Sequence, residues 1–302
     1  MKFFKSLLIV AFVLQSTILH AAGTTVLNLP APGTMVFISP KFTPTIVKGI
    51  SIYPNDPFKF DFIIDAGDSK LSGEAFKKES TKLVKYFMAA LTVPEKEMWV
   101  NLSPYEKDRI VPESLGVTEL GRDMLAQDYI LKQLASSLIY PEKDLGKEFW
   151  GKVYAQAEKQ YGTTKIPMST FNKVWIVPSK AVVWEHGRSA FVAESHLKVM
   201  LEQDYLALSK NTVIASAAKQ SQTNALGSNV VRDVLLPAIE KEVNEGKNFA
   251  NLRQVYNSMV LATWYKMNLK QSILAQVYAN QNKVAGVDVA DKAVKQKIYE
   301  QY

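Results

Sequence analysis

The chain has 302 residues, of which 47% are hydrophobic and 22% charged, and its formal net charge is +7. These values are ordinary for a globular protein. No cysteine is present, which excludes disulfides, thiolate metal sites and lipid attachment at a cysteine. Basic residues are interleaved with acidic ones, as at 77–79 and 240–242. This pattern is typical of a solvated surface, so we expect no nucleic-acid binding.

The first 22 residues have the pattern of an export signal. Lys2 and Lys5 precede an apolar run from Leu7 to Leu19, and the small residues Ala21 and Ala22 follow. The run is shorter than the ~20 residues that a helix needs to cross a bilayer. We therefore expect cleavage after residue 21 or 22 and a soluble product that is periplasmic or secreted. An uncleaved anchor is the alternative, and no later segment is apolar enough to span a membrane.

Residues 23–70 are predicted to be strand-rich, because β-forming residues alternate there with prolines. In the last predicted strand, apolar and polar residues alternate, which indicates one buried face. The predicted strands are Val26–Leu29, Thr34–Ile38, Ile46–Tyr53 and Phe58–Ile64.

Residues 71–162 are predicted to be helical. The apolar residues recur at alternating steps of about three and four, and Thr118 has the side chain of an N-cap. The predicted helices are Ser72–Leu91, Thr118–Ile139 and Lys143–Gln160.

Residues 171–200 read as a β-hairpin or meander. The predicted strands are Val174–Val177, Ala181–Trp184 and Ala190–Val192, with turns at Pro178–Ser179 and His186–Gly187.

The rest of the chain combines a predicted loop with helices. Residues 209–228 are small and polar and are predicted to form a flexible loop, whereas 229–302 are predicted to be helical. Pro237 is expected to kink or break the helix Val230–Asn244, and a long helix is expected at Phe249–Asn280. Grouped strands and helices predict a single α+β domain over 23–302, mainly helical.

Carboxylates are the first candidates for catalysis. Residues 101–128 carry many acidic side chains, among them Glu106, Asp108, Glu119 and Asp123. A pair of carboxylates in one cleft would suit glycoside hydrolysis. Salt bridges and helix caps explain the same residues, so the enzyme hypothesis stays the alternative to a binding role.

Histidine offers few further possibilities. His186 and His196 flank the second β connection, and His196 with a carboxylate is a second candidate catalytic pair. Neither histidine has zinc-site spacing. Asp65 and Asp68 are weak candidates for a hard cation, although an Asx-type turn explains them equally well. Phosphate-binding loops and nucleophile motifs are absent from the sequence, so we expect no cofactor.

Aromatic residues are the candidates for binding. Trp150, Trp175, Trp184 and Trp264 could line a groove for a carbohydrate or a peptide. The alternative is that these side chains belong to the hydrophobic core, which is the commoner place for aromatics at helical or alternating spacing.

Long stretches of the chain resemble a family of bacterial proteins that are predicted to be exported and have no assigned activity. The stretches include PNDPFKFDFIIDAGDS, TELGRDMLAQDYILKQLASSLIYPE and NEGKNFANLRQVYNSMVLATWYK. The resemblance implies no site residues. Members of that family continue past the position of Tyr302, and 213–221 departs from their pattern, so we expect a shortened or degraded copy. Together these features predict an exported non-enzymatic module that binds an envelope protein or polymer.

Overall fold

The computed structural model describes residues 29–53, 56–93, 116, 118–162, 164, 174–202, 204–205, 207, 229–279, 283–284 and 287–288. Several predictions fall outside these residues: the signal at 1–22, most of the strand Val26–Leu29, the carboxylates Glu106 and Asp108, and the loop at 209–228. Contacts between residues divide the chain into two compact units, Met1–Ala31 and Pro32–Tyr302, and the helices and strands of the described residues belong to the second unit.

The predicted α+β class is confirmed. Among the described residues, two strands and a 3-10 helical turn (Gly67–Ser69) come first, three α-helices follow, a second pair of strands comes next, and helices follow again. In chain order the elements are β1 (Ile46–Tyr53), β2 (Asp56–Asp65), α1 (Gly73–Thr92), α2 (Glu119–Leu138), α3 (Asp144–Tyr161), β3 (Val174–His186), β4 (Ser189–Leu201), a π-helical turn (Val231–Leu235), α4 (Leu236–Glu245), α5 (Ala250–Ala279), β5 (Lys283–Val284) and β6 (Val287–Asp288).

Strands β1 to β4 form one antiparallel sheet in the order β2-β1-β4-β3. The two hairpins therefore meet in the middle of the sheet, where β1 pairs with β4 over Gly49–Ser51. β2 and β3 are the edge strands. The short strands β5 and β6 pair with each other, so the prediction that 229–302 is helical is wrong at these four residues.

The predicted turn at Pro178–Ser179 is wrong. β3 continues through both residues and pairs with β4 from Val174 to His186, with a register shift between Pro178 and Lys180. Proline has no backbone N–H to donate to a ladder, and it is tolerated in an edge strand or at a bulge. Pro178 stands at both, so the strand bends there without ending.

The predicted strand Thr34–Ile38 is also absent. Helix side chains hold the backbone here: Val36 N donates to Ser137 Oγ at 2.9 Å, and Ser39 N donates to Glu242 Oε2 at 2.8 Å. The Glu242 carboxylate is buried and also accepts from the Ser39 hydroxyl at 2.5 Å. The backbone polar groups are thus satisfied without a neighbouring strand.

β4 continues beyond the residues that pair with β1. Along this part of β4, α4 lies where a neighbouring strand would otherwise pair. Asn244 Oδ1 accepts from Leu197 N at 2.9 Å, while Asn244 Nδ2 donates to Leu197 O at 2.7 Å. Glu240 Oε2 accepts from Val199 N at 3.0 Å. Side chains of a helix therefore satisfy the backbone along this edge.

Helices α1 and α5 cover one face of the sheet, which we call the covered face. Phe60 lies edge-on to Phe87 of α1 at 5.2 Å and to Tyr265 of α5 at 4.9 Å between ring centroids. Phe62 meets Phe87 in the same way. The alternation predicted for β2 is thus confirmed, because its aromatic face lies in the core.

A second cluster fills the space between α2, α3, α4, the start of α5 and the far ends of β3 and β4. Its fully buried large side chains include Leu134, Phe149, Leu197, Leu201, Ile239 and Phe249. No helix in the described part of the chain is long and apolar enough to cross a membrane.

The predicted helix ends are largely confirmed. Thr118 caps α2 by accepting from Gly121 N at 3.1 Å, and Gly162 ends α3 in the left-handed conformation. Pro237 lies in the first turn of α4, where its missing N–H costs nothing, and the π-helical turn precedes it. The predicted break is therefore a change of helix type.

Candidate functional site

The predicted carboxylates Glu119 and Asp123 lie one turn apart on α2 and both contact α1. Glu119 Oε1 accepts from Lys85 Nζ at 3.0 Å, and Asp123 Oδ2 accepts from the hydroxyl of the fully buried Tyr86. Glu119 Oε2 is buried and has no hydrogen-bond partner among the residues that the structure describes. These contacts hold two helices together and do not present a carboxylate pair to a cleft.

Burial sets the protonation behaviour of this contact. It raises the pKa of Asp123, and the hydrogen bond from Tyr86 and the charge of Lys82 oppose that rise. Burial, with the nearby Asp123 carboxylate, also raises the pKa of Tyr86 far above its usual value. The phenol therefore stays a donor to Asp123.

His196, the other predicted catalytic residue, lies between a hydroxyl and a carboxylate. Ser179 Oγ is 2.9 Å from His196 Nδ1, and Glu240 Oε1 is 3.6 Å from His196 Nε2. Ser179 Oγ also lies 3.1 Å from the carbonyl oxygen of His196, to which it can donate. When the hydroxyl donates to that carbonyl, Nδ1–H donates to Ser179, which is opposite to the direction that a general base requires.

Sequence reasoning missed Ser179 and Glu240 as partners of His196. Ser179 stands in the bulge that was predicted to be a turn, and Glu240 comes from a helix more than forty positions away in the chain. His186 is exposed beside the hairpin turn, as expected. The turn itself is Gly187–Arg188, one residue later than predicted.

Asp65 and Asp68, the predicted cation candidates, each accept a hydrogen bond from a backbone N–H. Asp65 Oδ1 accepts from Gly67 N at 3.0 Å, and Asp68 Oδ2 accepts from Thr43 N at 2.8 Å. Gly67 has φ +56°, and a Cβ there would lie 2.3 Å from Thr43 O. The Asx-type alternative therefore fits Asp65, whereas Asp68 binds the distant backbone N–H of Thr43. Among the described residues, no group of three or more acidic or histidine side chains is placed to hold a metal ion.

One cavity of about 610 Å³ lies beside the end of β4 and the π-helical turn. Its lining includes Lys198, Met200, Asp204 and Arg232. The guanidinium of Arg232 binds both carboxylate oxygens of Asp204, at 2.8 and 3.1 Å. Asp204 therefore engages Arg232, one of the two basic side chains that line the cavity.

The four tryptophans named as groove candidates, out of five in the sequence, divide between core and surface. Trp175 and Trp264 are buried, and Trp264 Nε1 donates to Glu185 Oε1 at 2.6 Å. Trp150 packs against the second core cluster. Trp184 is 69% exposed. The core alternative thus describes three of these residues, and Trp184 departs from it.

Trp184 belongs to a row of apolar residues across the sheet face opposite to α1 and α5, which we call the open face. Trp184 is paired with Phe191, Phe191 with Gly49, and Gly49 with Ile63, so one row spans all four strands. Direct cross-strand partners lie on the same face. We call Ile63, Phe191 and Trp184 the apolar row.

Gly49 lets the apolar row lie flat. A Cβ at this position would be 2.8 Å from Cδ1 of Phe191 and 2.6 Å from the carbonyl oxygen of Ala190. The ring of Phe191 therefore rests directly on the backbone of β1, an arrangement that shields an otherwise bare glycine in a sheet. The result is a level aromatic surface with Ile63 at one end and Trp184 at the other.

A polar row runs beside the apolar row, one alternation further along each strand. Asp61 is paired with Ser51, Ser51 with Ser189, and Ser189 with His186. The hydroxyls of Ser51 and Ser189 are hydrogen-bonded at 2.6 Å. These four residues are called the polar row below.

The polar row ends at a group that we call the cationic corner: Tyr53, Lys59 and Arg188. Lys59 Nζ and the guanidinium carbon of Arg188 each lie 4.5 Å from the centroid of the Tyr53 ring. The Tyr53 hydroxyl donates to Asp61, and this hydrogen bond is the main reason that the pKa of Tyr53 is raised. Neither cation forms an ion pair with another residue of the described part of the chain.

Part of this surface could have been predicted from the sequence. A two-residue turn at Gly187–Arg188 places residues at equal distances from it opposite each other, which would have paired Trp184 with Phe191. The pairing of Phe191 with Gly49 depends on the meeting of two distant hairpins, for which the sequence holds no local signal.

Comparisons with known proteins add no family assignment, since no family model, no curated protein and no solved structure matches the chain.

Proposed function

We propose that the chain is an exported, non-enzymatic binding module of the bacterial cell envelope, and that it binds through the open face of its sheet. The observation that carries the proposal is the 69% exposure of Trp184 in line with Phe191 and Ile63. Large aromatic side chains are enriched at binding surfaces, because covering them releases water from a large area.

The positions of Glu119 and Asp123 support binding over catalysis. Glu119 and Asp123 are engaged by Lys85 and Tyr86 in a contact between helices. A binding module is expected to expose aromatic surface without a convergent acid–base pair, and the open face has that character. Export remains part of the proposal and is supported by the pattern of residues 1–22.

Binding is tested by cosedimentation of the purified mature protein with insoluble bacterial envelope material, before and after protease treatment of that material. The wild type is expected to sediment, whereas Trp184→Ala is expected to stay in the supernatant. Tyr154→Ala, which removes another exposed aromatic from α3, serves as the control and should sediment like the wild type. Equal sedimentation of Trp184→Ala and the wild type would overturn the proposal.

Export is tested separately by expressing the full chain in a bacterium and recovering it by osmotic shock. The released protein should begin at residue 22 or 23 in N-terminal sequencing. Ile9→Lys places a charge in the apolar run and should retain the full-length chain inside the cell. Full-length wild type in the cytoplasm would show that residues 1–22 are not a signal.

A hydrolase is the second candidate, with Ser179, His196 and Glu240 in place of the carboxylates of 101–128. It requires the Ser179 hydroxyl to turn from the carbonyl oxygen of His196 and donate to His196 Nδ1. A serine hydrolase would lose ester cleavage in Ser179→Ala and retain it in Ser195→Ala. Ser195 is a matched control because its hydroxyl donates to Asn257 on the covered side. Cleavage that survives in Ser179→Ala would remove this candidate.

A further inference from the structure

The open face combines three kinds of side chain in adjoining positions: the apolar row, the polar row and the cationic corner. Four strands at the usual spacing of about 4.8 Å give the rows a length of roughly 14 Å. The surface is level, since its members stand side by side on one face of the sheet. It therefore suits an extended ligand that lies across the strands.

We propose that this surface binds an acidic polysaccharide, a glycan whose rings carry carboxylate or phosphate groups. The proposal rests on the proposed function, because it names the partner class for the same face. Each of the three groups of side chains matches one part of such a polymer.

The apolar row matches the sugar rings. A pyranose ring exposes C–H groups on its faces, and these pack against aromatic rings. Trp184 offers most of its indole to such a ring, and Phe191 lies flat over Gly49 beside it. A ring seated on Trp184 would cover apolar area that is now in water.

The polar row matches the hydroxyls of the same rings. Ser51 and Ser189 supply hydroxyls that donate and accept, and His186 supplies a ring nitrogen at the end of the row. Their spacing follows the strands, at about 5 Å from one residue to the next. Sugar hydroxyls, which also donate and accept, are suited to these partners.

The cationic corner matches the acidic groups. Lys59 and Arg188 flank the Tyr53 ring, which holds both cations in place before a ligand arrives. The only carboxylate of the three groups is that of Asp61, which already accepts from Tyr53. The corner therefore has an excess of positive charge, and arginine binds carboxylates and phosphates in a two-pronged geometry.

The experiment is affinity electrophoresis of the purified mature protein in gels that contain polygalacturonate, dextran or no polymer. Polygalacturonate should retard the wild type and dextran should not. Retardation should fall at least about tenfold in Trp184→Ala and about two- to fivefold in Arg188→Gln. Lys152→Gln, on the exposed surface of α3, should behave as the wild type. Added salt should weaken retardation because it screens exposed charges.

Vesicles of phosphatidylethanolamine and phosphatidylglycerol provide a second arm. Binding to these vesicles without retardation by polygalacturonate would overturn the inference in favour of a lipid surface. Equal retardation by dextran would show that the polymer needs no acidic groups. Full retardation of Trp184→Ala would show that the polymer does not bind at the apolar row. Cosedimentation that depends on Trp184, together with no retardation by polygalacturonate, refutes the acidic polysaccharide and leaves the proposed function intact. Circular dichroism of each variant serves as the check that it is folded.

Discussion

The two faces of the sheet carry similar aromatic side chains in different surroundings. On the covered face, Phe60 and Phe62 meet Phe87 edge-on beneath two helices. On the open face, Phe191 and Trp184 lie side by side with no helix of the described part above them. Aromatic residues on the first face can stabilise the fold, whereas those on the second are available to a partner.

The β3–β4 hairpin shows how closely the two roles adjoin. Glu185 lies at the rim of the covered face and accepts from Trp264, while its neighbour Trp184 lies on the open face. Alternate residues of one strand therefore serve opposite purposes, as the pleat requires. Substitutions on the covered face should therefore change stability, and substitutions on the open face should change binding.

The largest effect is expected from Phe87→Ala on the covered face. Loss of this fully buried ring should lower the free energy of unfolding by about 3–5 kcal/mol, because it leaves a cavity among Phe60, Phe62 and Tyr265. Urea denaturation measures the change. Met88→Ala, the adjacent and exposed position on α1, should change it by less than about 0.5 kcal/mol. A similar loss in both variants would contradict the assigned faces.

A smaller effect is expected from Tyr86→Phe, which removes the donor to the half-buried Asp123. The free energy of unfolding should fall by about 1.5–3 kcal/mol, since a hydrogen bond to a charged group is lost. Asp123→Asn keeps an acceptor for the Tyr86 hydroxyl and should be less damaging. An equal cost for both substitutions in urea titrations would argue against this pairing.

The same pair gives a pH dependence with a definite sign. Burial raises the pKa of Asp123 above its usual value of about 4. Its contribution is therefore most favourable below that value and is lost as pH rises through the folded-state pKa. Relative to the wild type, Asp123→Asn should gain stability across that rise, as measured by unfolding midpoints in a pH series. A difference that stays constant with pH would refute this account of Asp123.

Gly49→Ala tests the border between the two faces. The new Cβ would press on Phe191 and on the carbonyl of Ala190, so we expect a loss of about 1–3 kcal/mol in unfolding free energy. Binding to the envelope polymer should weaken as well, because Phe191 must move. Gly151→Ala, with open space around its Cβ on α3, should stabilise the protein by about 0.5–1 kcal/mol. Unchanged binding by Gly49→Ala would show that Phe191 is not part of the binding surface.

The smallest effect on stability is expected from Trp184→Ala. Thermal unfolding should show a change below about 0.5 kcal/mol, because the indole is mostly in water. The variant should nevertheless show the greatest loss of binding. A large loss of stability would place Trp184 in the core and would remove the distinction between the faces.

Local patterns predicted most of the fold. The ends of β1, α1, α2, α3 and α5 fall within about two residues of their predicted positions, because caps, prolines and apolar spacing act over a few residues. The segment Thr34–Ile38 was misjudged because β-forming composition cannot show that helix side chains such as Ser137 and Glu242 satisfy its backbone. Pro178 was misjudged because an edge position is a property of the whole sheet.

The candidate surface was less predictable than the fold. Trp184 was named as a possible groove residue, but its exposure depends on which face the helices cover. The apolar row also requires the register between β1 and β4, which joins residues about 140 positions apart. Glu119 and Asp123 look like a free acidic pair in the sequence, and only the position of α1 shows that Lys85 and Tyr86 occupy them.

The contact between α4 and the end of β4 has a consequence for self-association. An uncovered strand edge invites pairing with another chain, which is a common start of aggregation. Asn244 and Glu240 occupy the donors and acceptor that an incoming strand would need at Leu197 and Val199. A chain that leaves a strand edge open can pair with its own copies as it folds, and these two side chains close one route by which this protein would do so.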